Sequence, residues 1–286
     1  MVASSGRKWG IIGAAALSAA LAGCNTVGQT GRGPQVAVLE EDKTGTASIN
    51  IESLTDVVQR NPNDASAYNT RGAALARSGR YGDAIADFSK ALQIDPNNAP
   101  AYTNRGLANR QTNRNDAAYA DFSRAIESDP NYGPAYIGRA NLERARGNFD
   151  AALSDLSQAI RLTPESAEAL HARGLVYQRM GRHREAIIDF DAAIDRNAYV
   201  AAPYAARGQS LITTNQLDKA VEDFNAALNI NNKDADSWAW RGVALDKLGR
   251  KTEAQESFSR ATTIDPGNSI ARRGRGSGVA SLNPFQ

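Results

Sequence analysis

A period of 34 residues runs through this chain and limits its fold more than any other feature. A large side chain recurs at Tyr68, Tyr102, Tyr136, Leu170, Tyr204 and Trp238. Four residues later stands a small one: Gly72, Gly106, Ala140, Gly174, Gly208 and Gly242. Twelve further on come Ala84, Ala118, Ala152, Ala186, Ala220 and Ala254, then Phe88, Phe122, Leu156, Phe190, Phe224 and Phe258. Ala91, Ala125, Ala159, Ala193, Ala227 and Ala261 complete the pattern. Each unit reads as two antiparallel helices, A and B. The small residues let the two backbones approach, and the aromatic ones fill the space that is left. Between A and B stand Gly79, Asn113, Gly147, Gly181, Asn215 and Gly249, the residue types that tolerate a left-handed helix end. Pro96, Pro130, Pro164 and Pro266 stop helix B in four units, with Ala198 and Asn232 in the other two. A single hairpin cannot bury its apolar face, so the units must stack.

This pattern resembles the tetratricopeptide repeat over residues 65–268, about seven-tenths of the chain. The resemblance implies an all-α solenoid of six helix-turn-helix repeats (65–98, 99–132, 133–166, 167–200, 201–234 and 235–268) wound into a right-handed superhelix. Residues 49–64 match helix B alone, with Leu54 at the Phe position and Val57 at the Ala position, and read as a capping half-repeat. After Pro266 the sequence SIARRGRGSGVASLNPFQ reads as a disordered tail over 269–286, with no proper capping helix. That leaves the last repeat open to a partner or to a second copy, so a homodimer is one expectation.

An arginine precedes the small residue of helix A in every unit: Arg71, Arg105, Arg139, Arg173, Arg207 and Arg241. Sixteen residues on stand Asp87, Asp121, Asp155, Asp189 and Asp223, with Ser257 breaking the series. The arginines could bind an anionic ligand. Their recurrence together with the aspartates favours a structural ion-pair ladder that fixes register.

In the repeat family that the chain resembles, ligands lie in the groove lined by helix A. Carried over by position, that groove holds Asn69, Thr103, Leu107, Ile137, Asn141, His171 and Leu175, with Arg77, Arg110, Arg144 and Arg179 as its basic members. The Lys and Asn set of the carboxylate clamp used by some relatives is not matched, since Asn69 and Leu107 occupy two of those places. What remains suits an extended peptide with a few acidic residues or a free C-terminus, unless the arginines are simply a solvated face.

The front of the chain reads as an address. Arg7 and Lys8 form a short basic region, and Trp9 to Ala20 form an apolar run too short to span a bilayer. The following Leu21-Ala22-Gly23-Cys24 resembles the lipobox of bacterial lipoprotein precursors. That resemblance implies a signal peptide over 1–23, cleavage between Gly23 and Cys24, and acyl chains on Cys24 in the envelope of a Gram-negative bacterium. Asn25 in place of Asp is compatible with export to the outer membrane, with inner-membrane anchoring as the other outcome. Residues 24–48 are rich in Gly, Thr, Gln and charge and read as a tether, with a reach of roughly 25–30 Å if flexible.

Several classes are disfavoured. Removing residues 1–23 takes away two cations and leaves 31 residues of each sign, which is not the charge of a nucleic-acid binder. Cys24 is the only cysteine, and the two histidines, His171 and His183, share one repeat, so no metal or other cofactor is expected. The sequence has no phosphate-binding GxxxxGK[ST], no GxSxG, no HExxH and no CxxC. A non-enzymatic scaffold is expected. Three functions fit: an adaptor that recruits periplasmic or outer-membrane proteins, a pilotin-type factor for a pilus or secretion machine, and a structural homo-oligomer.

Overall fold

The computed structural model describes residues 46–276, which form fourteen α-helices and no strand. The lone first helix is α1 (Thr46–Arg60). The A helices are α2 (Ala65–Arg77), α4 (Ala99–Gln111), α6 (Gly133–Arg146), α8 (Ala167–Arg179), α10 (Ala201–Thr213) and α12 (Ala235–Lys247). Their B partners are α3 (Tyr81–Ile94), α5 (Asn115–Ser128), α7 (Phe149–Leu162), α9 (His183–Arg196), α11 (Leu217–Ile230) and α13 (Lys251–Ile264). The last described helix is α14 (Ser269–Gly276). The architecture is an all-α solenoid of repeated hairpins.

Four of the six A helices start where a side chain satisfies a free N–H group, whereas α6 and α10 start without one. Asp64, Asn98, Ser166 and Asp234 accept hydrogen bonds from Ser66, Ala101, Ala169 and Asp236. Each hairpin turns on a residue with positive φ, between 59° at Asn113 and Asn215 and 83° at Gly147. Helix B ends by a second device, which the proline series concealed. Asp95, Asp129, Asn197, Asn231 and Asp265 each fold a side-chain oxygen back onto the N–H two residues on. Repeats four and five therefore close without proline.

The core is the aromatic–small contact repeated along the stack. Phe88, Phe122, Phe190, Phe224 and Phe258 are fully buried, as are the alanines four residues before them. A Cβ added to Gly72 would lie 2.7 Å from the Phe88 ring, so only glycine permits this spacing of α2 and α3. Repeat three solves the same problem differently, with Ala140 facing Leu156.

Two boundaries differ from the sequence reading. Helix α1 begins at Thr46, inside the segment read as tether. Residues 269–276 are helical, where a disordered tail was expected. Asn268 caps that helix by accepting from the Ala271 N–H, Ala271 is fully buried, and Gly274 lies directly against the Phe258 ring. These are the N-cap, third and sixth positions of a helix A, so α14 begins a seventh unit and covers the sixth. The expected signal peptide, Cys24 and residues 277–286 lie outside the described residues.

Candidate peptide-binding groove

Successive A helices touch one another along the stack, while successive B helices do not. The A helices therefore line the inner wall and the B helices splay on the outer one. Polar side chains on the inner wall of α4, α6 and α8 form a cleft of about 450 Å³, lined by Arg110, Asn141, Arg144, Ala145, Glu168, His171, Ala172 and Leu175.

Its electrostatics are unbalanced. Burial pushes the Arg110 guanidinium below its usual range, and Glu168 partly offsets this. Arg144 is pushed down by burial and then by the like charges of Arg179 and Arg110. The Nε of Arg144 is buried with no hydrogen-bond partner among the described residues. Crowding by the inner wall raises the Glu168 carboxyl and Arg110 pulls it back, while part of the side chain stays in contact with water. His171 packs its ring 5.7 Å from that of Phe190, and burial, followed by Arg144, lowers it to about 4. At neutral pH the cleft therefore presents two guanidinium groups, with a third close by, against one carboxylate and a neutral imidazole. An incoming carboxylate would meet donors whose desolvation has already been incurred.

Five of the residues assigned to the groove by position meet in this cleft: Arg110, Asn141, Arg144, His171 and Leu175. Thr103 is fully buried with its hydroxyl unpaired, and Ile137 belongs to the core of repeats three and four, so neither can face a ligand. Asn69 accepts a 3.0 Å hydrogen bond from Asn104 and joins α2 to α4. Leu107 packs toward Phe122 and Leu142. Arg77 lies outside the cleft lining, and Arg179 acts on it through its charge on Arg144. Glu168 was missed, although it occupies the second position of its unit, one of those that face the groove.

The arginines of the ladder are engaged elsewhere. Arg71, Arg105, Arg139, Arg173 and Arg207 donate to Asp87, Asp121, Asp155, Asp189 and Asp223 at 2.6–2.8 Å. Four of the six also reach back to helix B of the preceding unit: Arg105 to Ser89, Arg139 to Ser123, Arg207 to Asp191 and Arg241 to Asn225. One guanidinium thus ties its own hairpin together and ties it to its neighbour. Arg241 lacks the aspartate, donates to Ser257 at 2.6 Å, and is pushed down by burial. Ser257→Asp is expected to stabilise the fold by about 1 kcal/mol at pH 7, because it gives this cation a charged acceptor. The gain needs an ionised carboxylate, so it should be present at pH 7 and lost as the pH falls through the ordinary carboxylate range near about 4. Thermal melts at pH 7 and pH 3 check this; an unchanged or lowered midpoint at pH 7 would refute it.

Among the described residues no three His, Cys, Asp or Glu side chains are grouped as a metal site, and no helix is long and apolar enough to cross a membrane.

Models of the tetratricopeptide repeat match residues 72–112, 140–181 and 208–249, with further models of the same repeat at 99–132, 167–199 and 235–268. The chain is a tetratricopeptide-repeat protein. Among curated proteins none matches it. Among solved structures, this tetratricopeptide-repeat chain is similar to the APC/C hetero-tetramer Cut9-Hcn1 (TM-score 0.71, 20% identity, 80% of this chain), of whose chain it spans 45%. It is also similar to PilF of Pseudomonas aeruginosa (TM-score 0.67, 19% identity, 74% of this chain and 96% of that one). A third is PilW, described as a type IV pilus biogenesis factor (TM-score 0.66, 17% identity, 73% of this chain and 96% of that one). At these identities the likeness concerns the fold. Tetratricopeptide repeats are scaffolds for protein–protein interaction, and that much applies to this chain.

Proposed function

We propose that this protein is a lipid-anchored adaptor of the Gram-negative envelope that recruits periplasmic or outer-membrane proteins by holding acidic peptide segments or C-termini on the inner wall of repeats two to four. The observation that carries the reading is the Arg110–Arg144 cleft, whose buried Arg144 Nε has no partner among the described residues. The anchor rests on Leu21-Ala22-Gly23-Cys24 and the basic and apolar segments before it.

The test is a pull-down of the tagged chain and its Cys24→Ser variant from a Gram-negative host after crosslinking, with membrane fractions run alongside. The adaptor reading expects wild type in the outer membrane with a small set of periplasmic proteins, and the variant uncleaved or mislocalised. If Cys24→Ser changes neither processing nor location, the anchor is wrong and a soluble scaffold remains.

A second reading is a pilotin-type assembly factor, favoured by the likeness in fold to PilF and PilW. Such a factor should grip an apolar segment, and a groove floored by arginines fits that poorly. Pilus or secretin subunits dominating the pull-down would install it.

A further inference from the structure

The two ends of the described stack are halves of one unit. Helix α1 carries the residues of a helix B: Leu54 at the Phe position, Val57 at the Ala position, and Val58 where Leu92 stands in repeat one. Val58 is buried against the next A helix, as Leu92 is. The face that a helix B turns toward its own helix A is open. Val57 is 43% exposed, whereas its counterparts Ala91, Ala125, Ala193 and Ala261 are completely buried. Leu54 is half-buried, whereas Phe88 and its equivalents are fully covered.

Helix α14 carries the residues of a helix A, and its open face is the complementary one. Ala271 and Gly274 pack on the preceding unit as their equivalents do. Gly276 stands at the eighth position, where Gly72, Gly106, Gly174, Gly208 and Gly242 each face the ring of their own helix B at a spacing no Cβ would allow. A Cβ on Gly276 would meet nothing within 4 Å. Arg275 falls at the ladder position and, in place of a carboxylate, donates to Thr262. The charges also match: α14 bears Arg272, Arg273 and Arg275 and no acid, and α1 exposes Glu52 and Asp56.

We propose that a second copy of this chain docks head to tail, with its α1 completing the seventh unit begun by α14. Leu54 of the second copy then fills the slot over Gly276, and Val57 meets the stem of Arg272. Arg275 faces Ser53, the arginine–serine combination that Arg241 and Ser257 already form within the stack. Helix α14 lies beside α2 of the second copy, as α2 lies beside α4 within one copy. The two surfaces differ, so the contact is heterologous and each copy keeps one free end. Growth into a series is the consequence, not a closed dimer. This assembly does not depend on the groove and would leave its inner wall continuous from copy to copy.

The test uses the full chain in detergent and a short thiol-to-thiol crosslinker, with the parent chain, whose Cys24 thiol is acylated on the proposed reading, as the blank that must stay monomeric. The double variant Leu54→Cys/Gly276→Cys is expected to move the bulk of the monomer band into a ladder of dimer, trimer and longer species. Leu54→Cys and Gly276→Cys should each stay monomeric alone and give only a dimer when mixed. Adding Val57→Arg to the double variant should abolish the ladder with helical circular dichroism unchanged. The proposal is overturned if the folded double variant stays monomeric. It is equally overturned if either single variant dimerises alone, which would mean a two-fold contact.

Discussion

Phe190→Ala should destabilise the fold by about 3–5 kcal/mol and lower its melting midpoint by about 6–20 °C. The ring is completely buried, Gly174 of the facing helix lies against it, and His171 meets its face. No neighbour can relax into the hole, because the helix spacing is set by backbone on one side and by the ion pair of Arg173 and Asp189 on the other. A solenoid has no long-range contacts to spread this loss, so repeat four should open before its neighbours. Hydrogen exchange would report this as lost protection in α8 and α9 with α2 to α5 retained. A midpoint shift below about 3 °C would show that the stack does not depend on these rings.

Repeat three supplies the internal control. There the pair is Ala140 and Leu156, a larger residue on helix A matched by a smaller one on helix B. Gly174→Ala alone gains about 1 kcal/mol of helix propensity, but it places a Cβ 2.5 Å from the Phe190 ring, and overpacking of this kind costs about 1–3 kcal/mol. Adding Phe190→Leu recreates the pair of repeat three and should recover much of that loss. The two substitutions should therefore be coupled and not additive.

The hairpins were legible because period, turn residues and small-to-large contacts all demanded the same spacing of A and B, and each signal was repeated six times. The A helix of the seventh unit, α14, was missed for the converse reason. Ser269 to Gly276 carries arginine where an aromatic residue belongs and two glycines in a short stretch, so propensity and pattern both argued against helix. What decides its state is not local: Asn268 caps it, and Phe258 offers a surface that only Ala271 and Gly274 fit. The groove was legible in outline only. Position along helix A identified Arg110, Asn141, Arg144, His171 and Leu175, but it could not distinguish a wall residue from Thr103 or Ile137, which turn into the stack one step away. Nor did counting cations reveal that Glu168 stands among them. The imbalance in the cleft depends on burial and on the absence of an internal partner for Arg144, and neither is written in the spacing.

Arg144→Glu is expected to weaken binding of an acidic probe peptide at least about 30-fold, the effect of removing one partner of a desolvated charge pair and adding a repulsion. The probe is a fluorescein-labelled peptide of alternating Asp and Ala with a free C-terminus, titrated by anisotropy in 0.15 M salt. Arg77→Glu, outside the cleft lining, serves as the control and should change affinity less than about threefold. Glu168→Gln should strengthen binding, since it removes the one carboxylate competing for Arg110. The pH dependence has a definite sign. His171 titrates near 4 in the folded chain, below its ordinary value, so it is neutral at pH 7 and becomes harder to protonate on folding. Stability from this group is full above about 6.5 and falls as the pH drops toward 4. Glu168, raised by burial, acts in the opposite sense. A bound carboxylate near Arg110, Arg144 and Arg179 would favour the imidazolium, so binding should take up a proton and tighten as the pH falls from 6.5 toward 4. His171→Phe together with Glu168→Gln should remove that dependence, because protonation of Glu168 also relieves its competition for Arg110. If Arg144→Glu and Arg77→Glu weaken binding equally, the probe is held by a diffuse charged face. The cleft would then have no claim to be the recognition site.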